Sequence, residues 1–291
     1  MNIKEFTEKV RKEIAEILGK EVQYKEADKL NNTKHYGLTI LEPGSNIAPT
    51  LYLEQFYDMY LETGNWRETI NQIIALYQSD SFPKCLDMEW LKDFDKVQGL
   101  IFHKLINFES NTALLAKVPF TRYLDFAIVY CIHYENTEIG DGSILIHNSH
   151  LKLWNRTTQD LARLAEKNTP RLYPLSISTM EDTIQECIGC PVPTEDVPAM
   201  FVMSNKPRVN GAISILYKDS LKNFSSGLHS DVVILPSSVH EVILLPLLEH
   251  EGIKEFRDMV YEVNRSQLSK EEFLSDNVYL YRRSTDSIEI V

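Results

Sequence analysis

The chain has 291 residues, 43% of them apolar, with ordinary glycine and proline counts, enough to bury one sizeable core or two modest ones and too apolar for wholesale disorder. Its 42 acidic and 30 basic residues give a formal charge of −12, which repels phosphate backbones and anionic headgroups, so neither nucleic acid nor membrane is an expected partner. No apolar run reaches the roughly 20 residues of a spanning helix, and the amphipathic, charged segment 1–20 lacks a signal-peptide core; a cytoplasmic location is expected, in which four cysteines make no disulfide framework.

Ile3, Phe6, Val10, Ile14 and Ile17 recur at helical spacing, and Gly19 ends that first helix. Val22 and Tyr24, then Tyr36, Leu38 and Ile40, alternate at period two around Asn31 and Asn32 and predict a strand pair. Leu51 to Leu61 and Trp66 to Tyr77 predict a helical hairpin, with Gly64 as the stop between them. Leu91, Phe94, Ile101, Leu105 and Phe108 read as a further long amphipathic helix, and a lobe boundary is expected near Asn111.

Tyr123 to Tyr134 is nearly continuously apolar, as in a strand buried on both faces, and Gly140 to Gly142 turn it into a partner at Ile144 to Ile146. Thr157 with Asp160 starts a capped helix that Pro170 and Pro174 are expected to stop. Asn210 and Gly211, between Phe201 to Met203 and Ala212 to Tyr217, predict a β-hairpin. Val232 to Leu235 and Val242 to Leu245 form a second strand pair; a helix over Ile253 to Val263 and a short one from Ser269, capped by Glu272, precede closing strands at Val278 to Tyr281 and Ile288 to Val291.

These elements predict an α+β (mixed α/β) fold, with a mostly helical N-terminal third followed by a mixed or antiparallel sheet with flanking helices. The expected organisation is a single globular unit over 1–291, divisible into a helical lobe 1–111 and a sheet-containing lobe 112–291.

Cys187 and Cys190 form a C-x-x-C pair, a spacing able to hold zinc or run dithiol exchange. Exchange wants the nucleophilic thiol at a helix N-terminus, whereas Thr183 to Ile188 reads as a helix ending at Gly189, where the dipole disfavours a thiolate. Zinc wants about four ligands, and His147 with His150 are the nearest complement, on another element. Two reduced, half-buried thiols are the plainer reading.

His240 and Glu241 begin an H-E pair, but Leu244 stands where a zinc peptidase carries its second histidine and His250 is too distant to replace it. The run L-P-S-S-V-H-E from Leu235 to Glu241 also sets Ser238 near His240, a partial constellation for a serine hydrolase without a G-x-S-x-G elbow. A turn at Pro236 to Ser238, with His240 satisfying a backbone group and Glu241 pointing outward, is the competing structural reading. No Walker-type or G-x-G-x-x-G loop is present, and no cofactor is expected.

Three stretches carry a resemblance: N-I-A-P-T-L-Y-L-E-Q-F-Y from Asn46, M-S-N-K-P-R-V-N-G-A-I-S-I-L-Y from Met203, and I-L-P-S-S-V-H-E-V from Ile234. Through them nearly the whole chain resembles an uncharacterised domain-of-unknown-function family of gut clostridia and, more distantly, the YtpQ-like family of bacilli, which shares the Asn-Gly-Ala and Leu-Pro-Ser-Ser-x-His-Glu runs. The resemblance implies a cytoplasmic bacterial protein and no particular activity, and it singles out Asn205, Asn210, Gly211, Ser237, Ser238, His240 and Glu241 as residues that line one polar site if two strand pairs bring them together.

The first expectation is a non-enzymatic binding or interaction protein, with Asn205, Asn210 and Ser237 as ligand-binding candidates and a protein or small molecule as partner. The alternatives are a hydrolase-like enzyme using Ser238, His240 and Glu241 as nucleophile, base and orienter, and a metal-binding protein using Cys187, Cys190, His147 and His150.

Overall fold

A computed structural model of the chain describes residues 1–79, 85–135, 140–189, 199–247 and 253–291. The fold is mixed α+β, every strand pairing in the described residues is antiparallel, and none of the described helices is long and apolar enough to cross a membrane. The chain divides into two compact units, Met1–Trp90 with Glu135–Asp141, and Leu91–Tyr134 with Gly142–Val291.

In the first unit, helix α1 (Ile3–Leu18) opens on a capping box in which Asn2 and Glu5 exchange backbone-to-side-chain hydrogen bonds of 3.0 Å, and it ends at Gly19 in the left-handed conformation. Phe6, Val10 and Ile14 are fully buried, each contributing about 1.5–3 kcal/mol by leaving water. Strands β1 (Val22–Asp28) and β2 (Lys34–Ile40) pair as expected, and β3 (Thr50–Tyr52) adds to β2. Leu51 thus belongs to a strand; helix α2 starts later, at Glu54–Thr63, and Gly64 (φ 65°) separates it from α3 (Trp66–Ser79).

The second unit departs from the sequence reading at its start. In place of a long helix over Leu91 to Phe108 there are three short turns, a 3-10 turn at Glu89–Lys92, α4 (Phe94–Val97) and a 3-10 turn at Gln98–Leu100, and then strand β4 (Ile101–Asn107). Ile101, Phe102, Leu105 and Ile106 are all buried, so β4 is covered on both faces and shows no alternation; its apolar residues fell at helical spacing by coincidence. After the one-turn helix α5 (Thr112–Leu115), the expected buried strand over Tyr123 to Tyr134 is present as β6 (Phe126–Tyr134); its first residues belong to a hairpin in which β5 (Phe120–Tyr123) reverses at Leu124, which takes φ 54°. Strand β7 (Gly142–Leu145) pairs with β6, as the Gly140 to Gly142 turn suggested.

Helix α6 (Asn148–Trp154) leads to α7 (Thr158–Leu172), which has the expected Thr157–Asp160 capping box. Pro170 does not stop α7. The carbonyl that loses its partner there belongs to exposed Glu166, where water can replace the bond, and Tyr173 N–H closes the last turn on Thr169 O at 2.8 Å. On the opposite side α7 clamps β4: Asn168 Nδ2 donates to the carbonyls of Gln98 and Ile101, and Thr169 Oγ1 accepts the N–H of His103.

Enclosure at this clamp pushes the His103 imidazole down to about 4. Because the folded value lies below the usual 6.5, the unfolded chain takes up a proton between these limits and the folded chain does not. Stability is therefore retained above pH 6.5 and falls as the pH drops toward 4, by about 2 kcal/mol at pH 5. Burial shifts His150 in the same direction. Melting curves should show Tm several degrees lower at pH 5 than at pH 7, with much of the difference absent in His103→Gln; an unchanged slope in that variant would assign the effect elsewhere.

The remaining elements are β8 (Leu175–Thr179), α8 (Met180–Ile188), β9 (Phe201–Asn205), a 3-10 helix over Gly211–Leu216, α9 (Ser220–Leu228), β10 (Val232–Pro236), β11 (Val242–Pro246), α10 (Ile253–Ser266), β12 (Tyr279–Arg282) and β13 (Ser287–Ile290). Their six strands form one sheet in the order β13-β12-β10-β11-β9-β8. The predicted β10–β11 and β12–β13 pairs and the helix from Ile253 are present.

The predicted hairpin at Asn210 and Gly211 is absent. Asn210 does take a positive φ (53°), but it leads into the 3-10 helix, whose Ala212, Ile213 and Ile215 are buried in the core against β4, β9 and β11. Strand β9 pairs with β8 and β11 instead. Ser269 and Glu272 also form a turn and not a helix, closed by Glu272 N–H on Ser269 O at 3.1 Å.

Candidate functional site

The β9–β11 register sets Met203 opposite Val242 and carries the chain on, just beyond the paired residues, to Ser204 and Asn205 on one strand and Glu241 and His240 on the other. The turn before the 3-10 helix closes over the same point. Most of the residues singled out by the resemblance therefore meet in one polar clasp, although their sequence neighbourhoods are far apart.

Ser204 Oγ donates to the carbonyl of His240 at 2.7 Å. Asn205 holds the turn by itself: its Nδ2 donates to Val209 O at 2.8 Å and its Oδ1 accepts Val209 N–H at 3.1 Å. The Asn210 N–H donates to His240 Nδ1 at 3.1 Å, the Ala212 N–H to Val239 O at 3.3 Å, and the Val239 N–H to Glu272 O at 2.9 Å. Gly211 sits at the tightest approach, where a Cβ would stand 2.1 Å from Ser204 Oγ, 2.5 Å from His240 O and 2.7 Å from Asn205 N. Glycine is needed there for space, not for a positive φ.

The Ser238–His240 relation is specific. Ser238 Oγ accepts the backbone N–H of His240 at 3.0 Å, and the Ser238 N–H returns to Glu241 O at 3.2 Å, which makes a compact turn. Because Nδ1 spends its lone pair on Asn210, the proton of the neutral imidazole resides on Nε2. Nε2 lies 3.8 Å from Glu272 Oε1, and the His240 side chain is 35% exposed. The carboxylate beside the ring is thus that of Glu272, while Glu241 contributes its carbonyl to the turn. Ser237 is half-buried on the same turn.

Ser204 and Glu272 escaped the sequence reading. Ser204 lies inside a quoted motif and reaches His240 only through the β9–β11 register, whereas Glu272, whose spacing from Ser269 imitates a helix cap, is brought there by the Val239 N–H bond to its carbonyl.

His147 and His150 do meet, with ring centroids 5.9 Å apart, but His150 Nδ1 accepts the His147 N–H at 3.1 Å and its ring stacks on Trp154. Helix α8 ends at Ile188, with Gly189 in the left-handed conformation, as expected; Cys190 and His250 lie outside the described residues. No group of three or more His, Cys, Asp or Glu placed to hold a metal occurs among the described residues.

At the far end of the 3-10 helix lies a shallow cleft of about 120 Å³, open to solvent, lined by Tyr123, Tyr217, Asp219, Lys222, Tyr281 and Asp286 among others. Tyr281 donates to Asp286 Oδ1 at 2.6 Å, and Lys222 Nζ approaches Asp286 Oδ2 at 3.8 Å. Burial, and then the hydrogen bond to Asp286, push the Tyr281 hydroxyl up to about 12. Burial also raises Tyr123 and Tyr217, so all three phenols are neutral at physiological pH.

No curated protein and no solved structure matches the chain. The model of a family of unknown function, DUF5688, matches residues 3–283, and the chain belongs to that family.

Proposed function

We propose that this chain is a non-catalytic binding protein whose motif residues around His240 hold a scaffold together and turn over no substrate. The observation that carries this reading is the commitment of the imidazole: Nδ1 accepts a main-chain N–H, Nε2 bears the proton and faces Glu272, and Ser238 Oγ is engaged by the backbone. A general base needs a free lone pair within hydrogen-bond reach of the nucleophile. The hydrolase alternative with Ser238, His240 and Glu241 requires the ring to leave Asn210 first. The metal alternative requires further ligands beside His147 and His150.

Two substitutions separate these readings. An asparagine side chain presents Oδ1 about where the histidine presents Nδ1, so His240→Asn should keep the Asn210 bond and hold Tm within about 2 °C of the parent. His240→Ala leaves a half-buried N–H without an acceptor, at about 1–3 kcal/mol, and should lower Tm by roughly 2–4 °C per kcal/mol. An alanine variant as stable as the parent would remove the basis of the proposal. Native mass spectra of protein purified without chelator add the ligand: a retained metabolite supports binding, whereas a stoichiometric metal supports the metal alternative.

A further inference from the structure

We propose that the β8 edge of the six-stranded sheet is a self-association surface, which pairs with β8 of a second copy of this chain. Strand β8 ends the strand order, and its one strand partner among the described residues is β9. The Lys206 N–H donates to Pro174 O and the Met180 N–H to Met200 O, so the even-numbered residues of this stretch turn their backbone groups toward β9. The N–H and C=O of Leu175 and Ile177 and the N–H of Thr179 therefore point away from the sheet, a row of groups that another strand can satisfy. Charged side chains commonly blunt such an edge, yet Leu-Ser-Ile-Ser-Thr carries none, and all 5 residues are half-buried.

Register and charge select the occupant. In an antiparallel pair about a two-fold axis at Ile177, that residue meets its own counterpart and Leu175 meets Thr179 of the second copy, so the outward-pointing groups face one another. Ser176 then stands opposite Ser178, and no like charges meet. The strand is also charged differently at its two ends: Arg171 and Lys206, both exposed, flank its start at Pro174, whereas Glu181 and Asp182 follow its end in the first turn of α8. None of these four side chains has an ion pair among the described residues. The two-fold lays the basic end of each copy beside the acidic end of the other. The opposite edge of the sheet lacks this match. There the Val291 N–H donates to Val278 O, which turns Ile288 and Ile290 outward, and a pairing that uses both sets Glu289 against Glu289 of the second copy.

Sedimentation equilibrium of the full chain at low salt, over about 5–500 µM, should show a reversible monomer–dimer equilibrium, because a single edge pairing lies at the weak end of protein interfaces. Lys206→Glu and Glu181→Lys should each weaken the dimer about fivefold or more, since either change acts twice in a two-fold interface. The double reversal Lys206→Glu/Glu181→Lys should restore most of the affinity, and all of these variants should melt close to the parent. Amide hydrogen exchange at Ile177 and Thr179 should slow as the protein concentration rises. A chain that stays monomeric throughout, which would leave the edge to an extended segment of another protein, would overturn the proposal. So would a dimer that the double reversal holds no better than the single ones, or one in which exchange at Ile177 and Thr179 is independent of concentration.

Discussion

Gly211→Ala is expected to be among the most damaging single-methyl additions in the protein. The added carbon would sit 2.1 Å from Ser204 Oγ and within 2.7 Å of two backbone atoms, His240 O and Asn205 N. A serine hydroxyl can rotate away, at the cost of its bond to His240 O, but the two backbone atoms belong to the ends of β9 and β11 and cannot. The strands must separate or the 3-10 helix must lift from the core, a loss of about 3 kcal/mol or more, which corresponds to roughly 6–12 °C in Tm. Removing the hydroxyl as well, in Gly211→Ala/Ser204→Ala, should rescue little, because the backbone contacts remain. Gly99→Ala, where a Cβ meets nothing within 4 Å, provides the control and should be nearly silent. A Gly211→Ala protein that melts with the parent would show that the clasp is not closely packed.

The second large effect is expected at Asp125, which no sequence signal distinguished. Its carboxylate accepts from Ser275 Oγ at 2.7 Å, Asn277 Nδ2 at 3.0 Å and the hydroxyl of Tyr279 at 2.5 Å, thereby fixing the β5–β6 turn to the start of β12. Tyr279 is 2% exposed and stacks on Phe126, and burial, then Asp125, raise its hydroxyl far above the usual phenol range. Asp125→Ala would strand these donors in a half-buried setting, each at about 1–3 kcal/mol, and a loss of at least about 3 kcal/mol is expected by chemical denaturation. Asp125→Asn keeps one acceptor but turns an amide toward donors, so it should fall between parent and alanine. Tyr279→Phe removes a single donor and should cost the least of the three. Equal stability of all three variants would mean that the network is not closed in solution.

The parts of this fold that were legible in the sequence are those in which a local cause suffices. The α1 stripe ends at a glycine, Thr157 with Asp160 starts α7, and the β10–β11 and β12–β13 pairs announce themselves by β-rich runs. The readings that failed were decided by tertiary burial. Strand β4 is covered on both faces and lost its alternation; the Asn210–Gly211 step has hairpin chemistry, yet its apolar flank is worth more buried as a 3-10 helix against β4, β9 and β11. The candidate site was half visible. Asn205, Asn210, Gly211, Ser238 and His240 were singled out because they carry the resemblance, whereas Ser204 and Glu272 depend on the β9–β11 register and on a turn that resembles a helix cap. The Tyr123–Asp219 cleft left no pattern, since its lining comes from separate segments, each of which reads as ordinary core or loop.

His240 Nδ1 accepts the Asn210 N–H within the clasp. The most direct test is long-range ¹H–¹⁵N NMR of the imidazole at neutral pH. The expected result is an unprotonated Nδ1 that receives the Asn210 amide, visible as through-bond coupling between that amide and Nδ1, with the ring proton on Nε2. A proton on Nδ1, a free Nε2 lone pair and no coupling to Asn210 would contradict it, and would return His240 to the role of a base.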